Sequence, residues 1–483
     1  ILKVWIAVLG DGEVAVKALS VAAGLAIIPL TYGLGQRLFG RRTGLLAALM
    51  AAASPLLVWY AQEVRMYSLL TALTLAAALC LWQALDSGRG PWWLLYALLT
   101  VAGAYTHVYG ALLLPAHGLF ALWAWERGWG GARGERAAWL WSVLAGLSAF
   151  AAVAILYAPW ACAAWQSSGS AFSGRPLLSP LEMLGALLAA FTLHRAVAPG
   201  IVLAAVGALV LLGLVAGRRE DREAPDGAAT GPRTLTAGDA RVFLDLYLLL
   251  PVALVAALSQ RYELWGVPYF TILAPPFLVA LAAGIAVLSR RWLLLGLATS
   301  GIVLTLAILG LAANAAPENR KEDWRAAAAY VRDHAAADDA ILVVADFAAV
   351  PFRYYYRGPA TVYTPWGGRL SDSAAVAAPV DGLGGANNIW LVLSHQEPID
   401  PDGLIPRLLD QRYPTVTEQF PRGVRLTAYA VRTLLTQLPP GVGRVDQDLG
   451  PLRLLARTVD PGPHFAADST YHPPSGWIHV TLY

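Results

Sequence analysis

Trp59-Tyr60-Ala61-Gln62-Glu63-Val64-Arg65-Met66-Tyr67 is the stretch on which the reading of this chain turns. An acid, a base, an amide and three aromatic side chains interrupt two apolar runs, near 43–60 and 66–85. Each run is close to the roughly 20 residues that cross a hydrocarbon core of about 30 Å. Ionisable groups at membrane depth are costly, so such a seam between two spans marks a functional candidate. In the functional reading Arg65 holds a phosphate with its planar fork of donors, while Gln62 and Glu63 hydrogen-bond sugar hydroxyls. In the structural reading Glu63 and Arg65 are an interfacial pair within an aromatic belt. The residues alone leave both standing.

Outward from this seam the apolar runs recur, near 14–34, 91–106, 108–125, 138–158, 199–217, 242–258, 265–288 and 292–313. The polar break Tyr105-Thr106-His107 separates two short runs, with a single kinked helix as the competing reading. The chain is 57% hydrophobic and only 14% charged, against about 25% charged in soluble domains. Its mean hydropathy is +0.53. The fold class is therefore a polytopic α-helical membrane protein. With a net charge of only +3 and its basic residues in short inter-helix loops, the chain is not read as a nucleic-acid binder.

Those loops also give an orientation, because Lys and Arg in short loops accumulate on the cytoplasmic side. Arg37, Arg41, Arg42, Arg89, Arg127, Arg133, Arg136, Arg218, Arg219, Arg222, Arg233, Arg241, Arg290 and Arg291 fall on one side, against Arg65, Arg175, Arg195 and Arg261 on the other. The first set is placed inside. By parity the segment after Ala313 then emerges on the non-cytoplasmic face of a multi-pass cell-membrane protein. Segment 159–198 is read as an outer stretch with an interfacial helix over Leu181–Leu193, and 218–241 as a disordered inner connection.

Beyond Ala313 continuous apolar runs give way to alternating helix-like and strand-like pieces. Lys321–His334 and Leu404–Gln411 read as helices, and Ile341–Ala345 and Ile389–Leu393 as buried strands. The domain division is 1–315 membrane, 316–436 extracytoplasmic α/β and 437–483 a β-rich tail, with strands at Leu452–Ala456 and Trp477–Leu482. A final strand with an open edge leads to the expectation that the natural chain continues past Tyr483.

Three further clusters carry polar chemistry. Thr106-His107-Val108-Tyr109 lies at an outer end, where a lone His is more often a cap than a catalyst. Ser259-Gln260-Arg261-Tyr262-Glu263 precedes Pro268, Pro275 and Pro276, which suggest a bent or broken helix lining a cavity. Arg261 is then a second anion anchor, or else a snorkelling interfacial Arg beside Tyr262. Pro317–Arg325 is a charge run where the chain leaves the membrane, the usual form of a solvated helix start. Only Cys80 and Cys162 are present, giving neither a disulfide framework nor a metal-type spacing, and no Walker or dinucleotide motif appears.

Gly10-Asp11-Gly12-Glu13, Gly35-Gln36-Arg37-Leu38-Phe39-Gly40-Arg41-Arg42-Thr43-Gly44, Ser54-Pro55 and Tyr60–Tyr67 resemble bacterial family 39 glycosyltransferases. These are relatives of protein O-mannosyltransferases and of the lipid A aminoarabinose transferase. Thr106-His107, Arg261-Tyr262 and Arg320-Lys321-Glu322-Asp323-Trp324 match the pattern in order, so the resemblance covers about residues 1–330. It implies a GT-C fold and inverting transfer of a sugar from a polyprenyl-phosphate carrier to a lipid, glycan or protein acceptor, and it leaves a divalent metal open. It assigns Arg65 and Arg261 to the carrier phosphate, Gln62, Glu63 and His107 to sugar or acceptor, and Tyr67 and Tyr262 to the pocket wall. Lys17 stands where the family often has Arg. The catalytic Asp that the resemblance implies is expected before Ile1, since Asp11 and Glu13 do not fill its place. The rival expectations are a non-catalytic subunit of a larger membrane complex and a transporter of lipid-linked sugars.

Overall fold

A computed structural model describes residues 2–128, 133–167, 178–215, 235–259, 264–432, 438, 441–460 and 479–482. The chain divides into two compact units, Ile1–Ala315 and Ala316–Tyr483.

The first unit is helical. Its elements are α1 (Leu2–Leu9), α2 (Glu13–Phe39), α3 (Arg41–Ala53), α4 (Pro55–Ala61), α5 (Tyr67–Ser87), α6 (Gly90–Thr106), α7 (Leu113–Gly128), α8 (Arg133–Ser167), α9 (Pro180–Thr192), α10 (Gly200–Val215), α11 (Ala237–Leu258), α12 (Ala274–Arg291) and α13 (Leu293–Ala315). Among the described residues seven helical stretches are long and apolar enough to cross a membrane, or up to eight if the bent pair α3 and α4 is one span. The protein is a multi-pass membrane protein.

The bend between α3 and α4 is 56°, and its cause is local. Pro55 sits at the first position of α4, where its missing N–H breaks no helical bond, and the Ser54 hydroxyl accepts from Leu57 N at 3.4 Å. The seven residues of α4, about two turns, then deliver the segment 62–66 that precedes α5.

α6 and α7 are two helices running antiparallel. Tyr96 Oη lies 3.3 Å from His117 Nδ1, and the Trp93 and Trp125 rings meet at a tilt of 42° with centroids 6.0 Å apart. Both pairs bracket His107, which a single kinked helix could not bring about. His107 is extended (φ −163°), and a 3-10 turn at Val108–Gly110 folds back so closely that a Cβ on Gly110 would lie 2.7 Å from Gly103 C.

α12 is the most enclosed of the spans. A 3-10 stretch, Val267–Leu273, leads into it, and Pro275 and Pro276 occupy its first turn. The prolines therefore start the helix where donors are spare and do not break its interior. Against α12 lies α10, at a crossing made by glycines: a Cβ on Gly213 would fall 1.9 Å from Ala280 O, and one on Gly284 2.0 Å from Leu209 O. Small residues at such a contact let two membrane helices pack backbone to backbone.

Of the predicted disordered connection 218–241, residues 218–234 lie outside the described ones, but its end is ordered. Thr236 and Asp239 form a capping box for α11, and Asp239 also accepts from Trp123 Nε1 at 3.0 Å and pairs with Arg127 at 3.3 Å. In segment 159–198, where 168–177 lie outside the described residues, α9 is a helix with its own capping box at Ser179 and Glu182.

The second unit holds α14 (Trp324–His334), β1 (Ala340–Val343), α15 (Asp346–Tyr355), β2 (Thr361–Tyr363), α16 (Ser373–Asp381), β3 (Asn388–Leu393), α17 (Leu404–Arg412), β4 (Thr415–Gln419) and β5 (Arg425–Ala430). The sheet order is β2-β1-β3-β5-β4, with β1 parallel to β2 and β3, and β5 antiparallel to β3 and β4. Fully buried β1 and β3, buried from Ile389 onward, form its centre. The predicted helix from Lys321 begins only at Trp324, because the Asp323 carboxylate caps it by accepting from Ala326 N at 2.9 Å. A second, antiparallel sheet consists of β6 (Gly443–Leu449), β7 (Leu452–Asp460) and β8 (His479–Leu482).

Candidate functional site

The segment Gln62–Met66 links α4 to α5, and α2 backs it. Gly24 of α2 meets Ala61 so closely that a Cβ would lie 2.6 Å from Ala61 Cβ, and the Ser20 hydroxyl reaches Arg65 O at 3.5 Å. Lys17 lies about one turn from Ser20 on the same helix and pairs with Glu13 at 2.7 Å. Within the segment Gln62 and Arg65 are exposed. Arg65 Nε stands 4.0 Å from Glu63 Oε2, with the Arg65 side chain 65% exposed and that of Glu63 only 16%. A cationic fork at a rim beside a sheltered carboxylate can receive a phosphate on the outside and hydroxyl donors further in.

Aromatic rings extend from this segment to the other predicted cluster. Tyr60 and Tyr67 meet edge to face with centroids 4.8 Å apart, Tyr67 lies 6.2 Å from Tyr269, and Tyr269 stacks on His107 at 4.9 Å and neighbours Tyr109 at 5.0 Å. Tyr109 N donates to His107 Nδ1 at 3.2 Å, so the neutral ring carries its proton on Nε2. The Tyr109 hydroxyl donates to Leu264 O, tying this turn to the segment that leads into α12. Tyr67 and His107 are thus walls of one aromatic line. Tyr269 completes that line and was not singled out in the sequence; the only signal was its place in the Pro-bearing stretch before α12.

A second group missed in the sequence lies on the other flank. Arg195 stacks over Trp59 at 4.7 Å, and His194 (φ +56°) packs on Trp59 and Tyr60 while bonding Asn314 at 3.0 Å. Asn314 Nδ2 in turn donates to Pro55 O, capturing a carbonyl beside the bend. An apolar cavity also opens at the bend, lined by Ser54, Pro55, Phe191, Phe277, Leu281 and Val303 among others.

Arg261 and Tyr262 lie outside the described residues. Among the described residues no three His, Cys, Asp or Glu side chains gather as a metal-holding group.

The motif Arg320–Trp324 belongs to the second unit. There Glu322 accepts from His395 Nε2 at 2.6 Å. Burial pushes the Glu322 carboxyl up, but the His395 hydrogen bond, a backbone hydrogen bond and the charges of His395 and Lys321 outweigh it and hold the group below its ordinary value of 4.5. A carboxyl lowered in the folded state stabilises the fold above its unfolded pKa, and that stabilisation is lost as pH falls through the folded value. Thermal unfolding of the full chain followed from pH 7 to pH 3 is expected to show a transition of the second unit that weakens below about 4.5. Glu322→Gln is expected to flatten that component.

Residues 1–160 match the family model for dolichyl-phosphate-mannose-protein mannosyltransferase, about a third of the chain. No curated protein matches by sequence. Among solved structures, ArnT from Cupriavidus metallidurans bound to undecaprenyl phosphate superposes with a TM-score of 0.52 at 14% identity, covering 89% of this chain and 86% of ArnT. The Archaeoglobus fulgidus oligosaccharyltransferase in its apo form gives 0.48 at 12% identity over 94% of this chain and 67% of its own. The mycobacterial arabinofuranosyltransferase AftD gives 0.41 at 17% over 86% and 35%.

Proposed function

We propose that this chain, a multi-pass membrane protein of the GT-C glycosyltransferase fold, moves a sugar from a polyprenyl-phosphate carrier to a lipid, glycan or protein acceptor on the non-cytoplasmic face. The observation that carries this reading is the meeting of two distant stretches: the Glu63–Arg65 segment and the His107 turn are joined by Tyr67 and Tyr269. Arg65 takes the carrier phosphate. Gln62, Glu63 and the Nε2–H of His107 engage hydroxyls of sugar or acceptor, and the aromatic line shapes the pocket. Arg261 and Tyr262 are assigned to the same phosphate and wall by resemblance alone.

The reaction is an inverting displacement. The acceptor oxygen bonds to the anomeric carbon as the bond from that carbon to the phosphate oxygen breaks. The electron pair leaves on the phosphate, where arginine stabilises it, and the acceptor proton passes to a carboxylate. The likeness to ArnT with its undecaprenyl phosphate supports a carrier of that class.

The test is a transfer assay on the purified full chain in liposomes, with a panel of labelled polyprenyl-phosphate sugars and membrane acceptors. A new glycosidic bond is the expected result. Movement of intact donor across the bilayer without bond formation would replace this reading with a transporter. Neither transfer nor movement, regained only when partner chains are added, would make the chain a non-catalytic subunit.

A further inference from the structure

The α/β unit has a topological switch point that the proposed transfer does not use. From β1 the chain crosses to β2 on one side of it and then returns to β3 on the other, so β1 and β3 are adjacent parallel strands whose outgoing connections diverge. In open α/β sheets the crevice beyond the carboxyl ends of such strands is where ligands bind. Both connections here hold a non-glycine residue in the left-handed region: Ala345 (φ +71°) after β1 and His395 (φ +50°) after β3. Backbone of this kind is retained where surrounding structure requires it.

Four features are gathered at that crevice. His395 donates to Glu322 at 2.6 Å, and its ring lies 6.4 Å from that of Phe347. Phe347 is an aromatic residue left 50% exposed. Gly423 (φ +71°) lets the β4–β5 connection close on Glu322, where any Cβ would stand 2.8 Å from Glu322 Cγ. Ser394, between β3 and His395, is fully buried, and its hydroxyl has no hydrogen-bond partner among the described residues.

The chemistry selects the ligand class. The N-terminus of α15, otherwise a place for an anion, is closed: Asp346 puts its own carboxylate on Phe347 N at 2.8 Å. Phosphate and nucleotide are therefore disfavoured. The charges nearby offset one another, Glu322 and Asp346 against Lys321 and Arg422, whose guanidinium holds Lys321 O at 2.9 Å. What remains is an exposed aromatic face beside a fixed carboxylate–imidazole pair. Such a set stacks on the apolar face of a pyranose or furanose ring and accepts and donates to its hydroxyls. We infer that the crevice at the ends of β1 and β3, formed by Phe347, Glu322 and His395, binds a neutral saccharide.

The experiment uses the full chain in nanodiscs and a panel of neutral methyl glycosides, with binding read by saturation-transfer NMR. At least one glycoside is expected to bind, with affinity falling 10-fold or more in Phe347→Ala and in Glu322→Gln, and retained in Phe347→Trp. Dependence on Phe347 and Glu322, which belong to the second unit, separates this site from the proposed transfer site and makes the outcome independent of whether transfer occurs. A thermal melt of each variant distinguishes loss of binding from loss of fold, and Phe347→Trp tests the aromatic requirement in a side chain that needs no collapse. No glycoside bound, or binding indifferent to Phe347, would overturn the proposal. So would a Lys-rich peptide binding at Phe347 where the glycosides do not, which would make the crevice a peptide site.

Discussion

Arg65→Ala is expected to lower sugar transfer from the polyprenyl-phosphate donor by about 10²–10³-fold, the loss typical of removing one donor aimed at developing charge in a sheltered site. Charge builds on the carrier phosphate as the glycosidic bond breaks, and the Arg65 fork is the charged donor group of the segment. The loss should appear in kcat as well as KM, because the interaction strengthens in the transition state. Arg65→Lys keeps the charge but loses the planar pair of donors, and should recover only part of the rate. Glu63→Gln separates the neighbouring carboxylate in the same assay. Transfer by Arg65→Ala within about threefold of the natural chain would move the phosphate elsewhere and remove the central assignment.

The largest effect on folding is expected at the α10–α12 crossing. With a Cβ on Gly213 or Gly284 only 1.9 or 2.0 Å from a carbonyl oxygen of the facing helix, no rotamer change relieves the contact, since the opposing atoms are backbone. The helices must separate, and α12 lies deep within the first unit, so its neighbours lose packing as well. Gly284→Ala should destabilise by about 3 kcal/mol or more, a fall in the melting midpoint on the order of 10 °C. Gly284→Leu should prevent recovery of folded protein. Gly118→Ala and Gly301→Ala are the controls, because nothing stands within 4 Å of a Cβ at either place. They should be neutral or gain up to about 1 kcal/mol of helix propensity. Fluorescence-detected thermal melts in detergent read the three alanine variants, and the yield of folded protein reads Gly284→Leu; equal midpoints for Gly284→Ala and Gly301→Ala would show that the close crossing does not hold the unit together.

The membrane class and the order of the helices are legible in the sequence because apolar length is a local property: roughly 20 residues without charge specify a span wherever they stand. The seam at Gln62–Tyr67 is legible for the same reason, as polar groups at the junction of two such runs are conspicuous. The second unit was only partly legible. β1, β3 and α17 announce themselves by apolar runs or periodicity, whereas β2 is three residues of mixed burial and α15 carries Pro351 inside it, a local sign against helix that tertiary packing overrides.

What the sequence by itself determined is therefore the solvent of the chain, the succession of its spans and the candidate residues at their ends. Only the tertiary structure decided that α6 and α7 are separate antiparallel helices, that Tyr269 joins His107 to Tyr67, and that Glu322 pairs with His395 in the connection after β3 rather than merely preceding a helix. Tyr269 lies some two hundred positions from Tyr67, and no periodicity encodes such a meeting. It follows from how close the helices can pack, which at the α10–α12 crossing is set by the absence of a side chain.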